Sequence, residues 1–127
     1  MRVATLLVGL VCIVAARASP GAVPNVEIDY LLSAVAESGC RFERNGTWYG
    51  SQAAAAHLRA KYEAMAAKDL IKTADDFIDK AATRSSLSGR EYSIKCEGRD
   101  QLPARQWLTE RLRSRRLAGE ANGGRPP

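Results

Sequence analysis

Chemistry in this sequence can come from Arg44, His57, Lys61 and Arg90, together with the amide of Asn45 and the hydroxyls of Ser85, Ser86 and Ser88. Guanidinium, ammonium and hydroxyl donors suit a carboxylate or phosphate group, because arginine offers paired hydrogen bonds that match either anion. His57 and Lys61 stand four residues apart, one turn on a helix. The eight residues form a candidate binding face for a small anionic ligand, a peptide or another protein. A plainer arrangement uses the same residues: Arg44 salt-bridged to a helix acid, His57 exposed and the serines capping turns.

Catalysis makes stricter demands. A small hydrolase, the alternative function, needs Ser86 or Ser88 beside His57, with Asp75, Asp76 or Asp79 behind the imidazole. The nucleophile motif G-x-S-x-G is absent, since "SLSG" at 86–89 lacks its first glycine. The chain has one histidine and neither H-x-x-E-H nor C-x-x-C spacing, so no metal or cofactor is implied. Asp75, Asp76 and Asp79 read better as helix-start charges than as calcium ligands. Asn45-Gly46-Thr47 fits a glycosylation sequon, but the same residues are explained by a turn.

The elements that position these residues follow from the chain's outline. Residues 1–18 have the pattern of a secretory signal peptide: Arg2, the apolar run "VATLLVGLVCIVAA", and Ala16-Arg17-Ala18 as an A-x-A cleavage site. Cleavage near Ala18 removes Cys12 and leaves about 109 residues, a single domain. Residues 19–26 form a Pro- and Gly-containing leader, 27–117 the domain and 118–127 a disordered tail. The formal charge of +5 loses Arg2 and Arg17 with the signal. From Arg105 onward, Arg105, Arg111, Arg113, Arg115, Arg116 and Arg125 face only two glutamates, so the basic character belongs to this one segment. Export argues against nucleic acid as its partner. The segment reads as a solvated helix face, with weak contact to an anionic membrane surface as the alternative.

Ile28, Leu31, Leu32 and Val35 fall at i, i+3, i+4 and i+7, predicting a helix capped by Asn25 and stopped near Gly39. Asn45-Gly46 predicts a hairpin with Phe42 opposite Tyr49 and Glu43 opposite Trp48. Alternation then puts Cys40, Phe42 and Arg44 on one face with Thr47 and Tyr49. "SQAAAAHLRAKYEAMAAKDL" predicts a helix capped by Ser51, with Leu58, Tyr62 and Met65 on its apolar stripe. Thr73 and Asp76 suggest a capping box before Phe77, Ile78 and Ala81. "YSIKC" predicts a strand with Tyr92, Ile94 and Cys96 on one face. "LPARQWLTERLRSRRL" predicts the last helix, with Pro103 in its first turn and Trp107, Leu108 and Leu112 inward.

Two cysteines remain after cleavage, Cys40 and Cys96, each inward-facing on a strand that can neighbour the other. In an exported chain this favours a disulfide. A reactive thiol is the rival, but no His or Asn is arranged to activate one. The predicted fold is α+β, about four helices on a small antiparallel sheet of one hairpin plus one strand, closed by one disulfide.

The blocks "LLSAVAESGCRFERNGTWY", "AAAHLRAKY", "TADDFIDKAATRSSLSGREY" and the "C-E-G … WL" ending resemble the YfeK-like family. These are small exported bacterial proteins that carry a domain of unknown function. The resemblance spans about residues 27–113 and implies a Gram-negative envelope location, the periplasm first. It implies no activity.

Overall fold

In a computed structural model, the structure describes residues 25–123. The signal sequence with Cys12, residues 19–24 of the leader, Arg125 and the last residues of the tail lie outside the described residues. The elements are α1 (Val26–Glu37), β1 (Arg41–Arg44), β2 (Thr47–Tyr49), α2 (Ser51–Ala66), α3 (Ala74–Asp76, continuing as a π-turn over Phe77–Ala81), β3 (Ser93–Lys95), β4 (Leu102–Pro103) and α4 (Ala104–Gly123). Four antiparallel strands lie in the order β2-β1-β3-β4. The fold is α+β, as the periodicities predict.

Each start and stop has a local cause. The Asn25 side chain accepts from the Ile28 amide at 3.1 Å, capping α1. All four apolar residues of that helix face are buried. Asn45 and Gly46 both take positive φ, 51° and 81°, which a two-residue hairpin of this twist requires. The hairpin register is Phe42 to Tyr49 and Glu43 to Trp48, as expected. Thr73 and Asp76 complete the capping box. The wider turn after it buries Phe77, Ile78 and Ala81. Thr83 Oγ1 then donates to the Ile78 carbonyl at 2.7 Å, so a carbonyl in the π-turn keeps a partner inside the core.

Four expectations change. First, α2 stops at Ala66 rather than near Leu70, because Asp69 turns left-handed at φ 58°. Second, Ser51 does not cap α2. Gly50 occupies that position, and the Ser51 hydroxyl donates to the Cys40 carbonyl at 3.2 Å, which ties the start of α2 to the start of β1. Third, Leu102–Pro103 forms a fourth strand, pairing with Ser93 and Ile94, before α4 begins at Ala104. Proline is tolerated there because β4 is an edge strand. Fourth, α4 continues through 118–123, where disorder was expected from 118 onward. Ala118, Glu120 and Ala121 are good helix formers that extend an established helix.

Helices gather over the sheet face that carries Phe42 and Ile94. Leu31, Val35, Phe77, Ile94 and Leu108 are almost wholly buried. Phe42 meets Trp107 edge to face at 6.4 Å, and Tyr62 meets Phe77 likewise at 5.8 Å. The described arginines of the C-terminal segment stay exposed, but three of them make contacts within the fold. Arg116 donates to Glu27 on α1 at 2.8 Å and to Asp75 on α3 at 2.8 Å, while Arg115 lies over Tyr30 and Arg111 over Trp107. The Arg116 hydrogen bonds hold the Glu27 and Asp75 carboxyls below the ordinary carboxylate range.

Cys40 and Cys96 form the disulfide. Arg41 pairs with Lys95, so the two cysteines stand opposite each other on the next rung of the β1–β3 ladder. Their Cα atoms are 4.3 Å apart, near the ~4.5 Å of a non-hydrogen-bonded antiparallel pair. The bond closes a loop with a sequence separation of 56, which limits the unfolded chain by about 4 kcal/mol. Reduction in urea unfolding experiments should therefore cost about 4 kcal/mol, and an unchanged midpoint would contradict this. Arg116→Met should cost less than about 1 kcal/mol, and that loss should shrink in high salt because the three charges stay largely exposed.

Candidate functional site

Strand alternation turns Arg44 toward α2, as it does Phe42. Tyr49 is diagonal to Arg44 across the hairpin, because Arg44 pairs with Thr47 two residues away. The guanidinium carbon lies 4.7 Å from the Tyr49 ring centroid, and Nη2 donates to the Tyr49 hydroxyl at 3.2 Å. On the facing helix, His57 and Lys61 project one turn apart. Arg44 Nη1 contacts the His57 imidazole at Nδ1. Tyr92, 6% exposed and just ahead of β3, completes the group. Its hydroxyl lies 3.4 Å from His57 Nε2 and accepts from Lys61 Nζ at 3.2 Å. Lys61 also donates to the Arg84 carbonyl at 2.6 Å.

This pattern selects a protonation state. Arg44 Nη1 lies within hydrogen-bond reach of both ring nitrogens of His57, and a guanidinium can only donate, so one of the two nitrogens carries a lone pair. A neutral imidazole is required. Burial lowers the His57 pKa, and the charges of Arg44 and Lys61 lower it further. Burial also lowers that of Lys61 and raises that of Tyr92, the latter opposed by Arg44. The Tyr92 hydroxyl accepts from Lys61 and shares a hydrogen with His57 Nε2 whose direction follows the tautomer. The Tyr49 oxygen accepts from Arg44, and its phenolic hydrogen has no acceptor among the described residues. Arg44 Nε makes no hydrogen bond there either. The cluster has hydrogens to offer and a positive charge to go with them.

A cleft of about 150 Å³ opens beside these groups. Arg44, Tyr49, His57 and Tyr92 line its polar side, and Phe42, Ala54, Leu58 and Ala104 are among its apolar walls. Glu43 also borders the cleft, but its carboxylate is 4.0 Å from Arg90. Among the described residues no carboxylate lies within 4.0 Å of Arg44, and so the helix acid expected as its bland partner is absent.

The eight residues singled out from the sequence divide. Arg44, His57 and Lys61 converge. Asn45, Ser85 and Ser88 instead join the hairpin tip to the 85–89 loop: Asn45 donates to Ser85 Oγ at 3.3 Å, and Ser88 donates to the Asn45 carbonyl oxygen. Ser85 is buried and accepts from the Leu87 and Ser88 amides, so it is committed to the turn. Ser86 is exposed. Arg90 reaches Glu43, which alternation places on the opposite face from Arg44. Among the described residues His57 bonds to Arg44 and Tyr92, and to no serine hydroxyl. The contact that a serine–histidine hydrolase requires is not made.

Sequence reasoning missed Tyr49 and Tyr92 as polar residues of the cleft. It placed both on the inward face and treated them as core. The available signal was that Tyr49, two residues beyond the partner of Arg44, shares the face of Arg44 while its hydroxyl still needs a polar neighbour.

Residues 22–116 match the model of a family of unknown function, DUF5329. The uncharacterized protein YfeK of Salmonella typhimurium is 33% identical over 92 residues, which cover 72% of this chain and 75% of the relative. No solved structure matches the chain. The family match covers most of the domain, including both cysteines and every residue of the cleft, and the chain therefore belongs to the YfeK-like family of unknown function, DUF5329.

Proposed function

We propose that this protein is an exported, non-catalytic binding module that takes a small anionic group in the cleft beside Arg44. The carrying observation is a half-buried guanidinium with no acid partner among the described residues, on the polar side of an otherwise apolar cleft. Among the described residues the half-buried carboxylates of Glu27 and Glu43 each find an arginine, and half-buried Lys61 has neutral acceptors only, so Arg44 and Lys61 together leave positive charge without an acid partner. Here the balancing charge is supplied by the ligand. Arg44 carries the charge recognition, the Tyr49 phenol donates a neutral hydrogen bond, and His57 holds the guanidinium in place by accepting from it.

Export is supported by the signal-like pattern of residues 1–18 and by the paired cysteines. The periplasm is the compartment this reading assigns. Protein recovered from a periplasmic extract should begin at or near Ser19, which mass spectrometry of the intact chain checks.

Binding is tested by calorimetric titration with acetate. Arg44→Ala should abolish the binding seen with the unaltered protein, whereas Ser88→Ala should leave it intact because Ser88 belongs to the loop latch. His57 stays neutral at pH 7.5, where the titration is run, since burial and the charges of Arg44 and Lys61 hold its pKa below the ordinary value. No acetate binding at that pH, or equal binding by Arg44→Ala, would contradict the proposal.

A further inference from the structure

Resting on the reading of the cleft as an anion site, we infer that its ligand is a monocarboxylate carrying a compact apolar body of roughly benzene size. Three features of the cleft converge on this class.

The first is charge. Arg44 is the one cation that lines the cleft; Lys61 is held by the Arg84 carbonyl and the Tyr92 hydroxyl at its margin. A single guanidinium matches a single carboxylate, which it can grip by two parallel hydrogen bonds. A phosphate dianion calls for more positive charge than the cleft presents. The second is the wall. Phe42, Ala54, Leu58, Ala82 and Ala104 are all buried and all border the cleft. An inorganic anion would leave this surface facing water, whereas an apolar body covers it. The third is size. The cleft holds about 150 Å³, and a cavity of that volume accommodates one benzene. Four of the lining residues are alanines, and at Ala53, the exposed one, a longer side chain has room to extend into the space.

The carboxylate can belong to a free acid or to the C-terminal residue of a peptide. The chemistry that recognises it is the same, and the probes separate the two.

The experiment is calorimetric titration of the full mature chain with benzoate, acetate, inorganic phosphate, benzamide and N-acetylphenylalanine. Benzoate should bind on the order of tenfold tighter than acetate, from the added apolar contact. Benzamide, which keeps the ring and loses the charge, should bind more weakly than benzoate. Ala53 lines the cleft but is exposed, so Ala53→Leu can fold normally while narrowing the space. That variant should lose the preference for benzoate and retain acetate binding, with its thermal midpoint reporting that it is folded. N-acetylphenylalanine binding tighter than benzoate supports the inference and assigns the carboxylate to a peptide end; the reverse order supports it and assigns a free acid. Equal affinity for benzoate and acetate, or tighter binding of phosphate than of benzoate, overturns the inference and leaves the anion site standing. Binding of none of the anions overturns both.

Discussion

The pairing of β1 with β3, closed at one end by Cys40–Cys96, is the constraint on which the rest of this structure depends. Side chains alternate along β1, so a slip of one residue would carry Arg44 to the opposite face with Glu43. It would also bring Phe42 out of the core. The disulfide sits on the ladder itself, one rung beyond Arg41 and Lys95, and so it fixes the register as well as holding the strands together. The Ser51 hydroxyl then anchors the start of α2 to the Cys40 carbonyl. From that anchor, His57 stands nearly two turns along the helix, against Arg44. The same short stretch that begins the disulfide therefore sets the height of the imidazole beside the guanidinium.

Charge is distributed unevenly between the two ends of the molecule. On α4, Arg116 bridges two carboxylates, and Arg111 and Arg115 lie over aromatic rings. Arg115 and Arg116 join α4 to α1 and α3, while Arg111 covers a tryptophan of its own helix. At the cleft, Arg44 is stacked on Tyr49 and bonded to a neutral histidine, with Lys61 nearby and no carboxylate at hand. The neutral imidazole is what permits the arrangement: it accepts from one cation and adds no charge of its own. Placing three basic side chains together at a half-buried site opposes folding by a small amount, a cost that the proposed anion would relieve.

Much of this was legible in the sequence because it is set locally. The positive φ values of Asn45 and Gly46, the register they impose, the Asn25 cap and the Thr73–Asp76 box all follow from residue types at short range. The helix spacing of His57 and Lys61 and the strand alternation of Arg44 were enough to bring those three together. What failed to appear was set by tertiary contact. Ser51 has the chemistry of a cap but finds the Cys40 carbonyl instead. Leu102–Pro103 reads as the opening of a helix, and only the neighbouring edge of β3 makes it a strand. Arg90 and the serines seemed to share the site because they are polar and nearby in the chain order of the loop. Their hydrogen bonds close the loop on the hairpin tip, and the opposite pleat of Glu43 draws Arg90 away.

The account rests on a neutral imidazole held between Arg44 and Tyr92. His57 is the only histidine in the chain, so its ring resonances are assigned without ambiguity. A nuclear magnetic resonance pH titration of the ligand-free protein reads its pKa directly. The account places it below the ordinary value of about 6.5 and requires a rise when Arg44 is replaced by leucine. A pKa at or above the ordinary value, or one indifferent to the loss of Arg44, would contradict it.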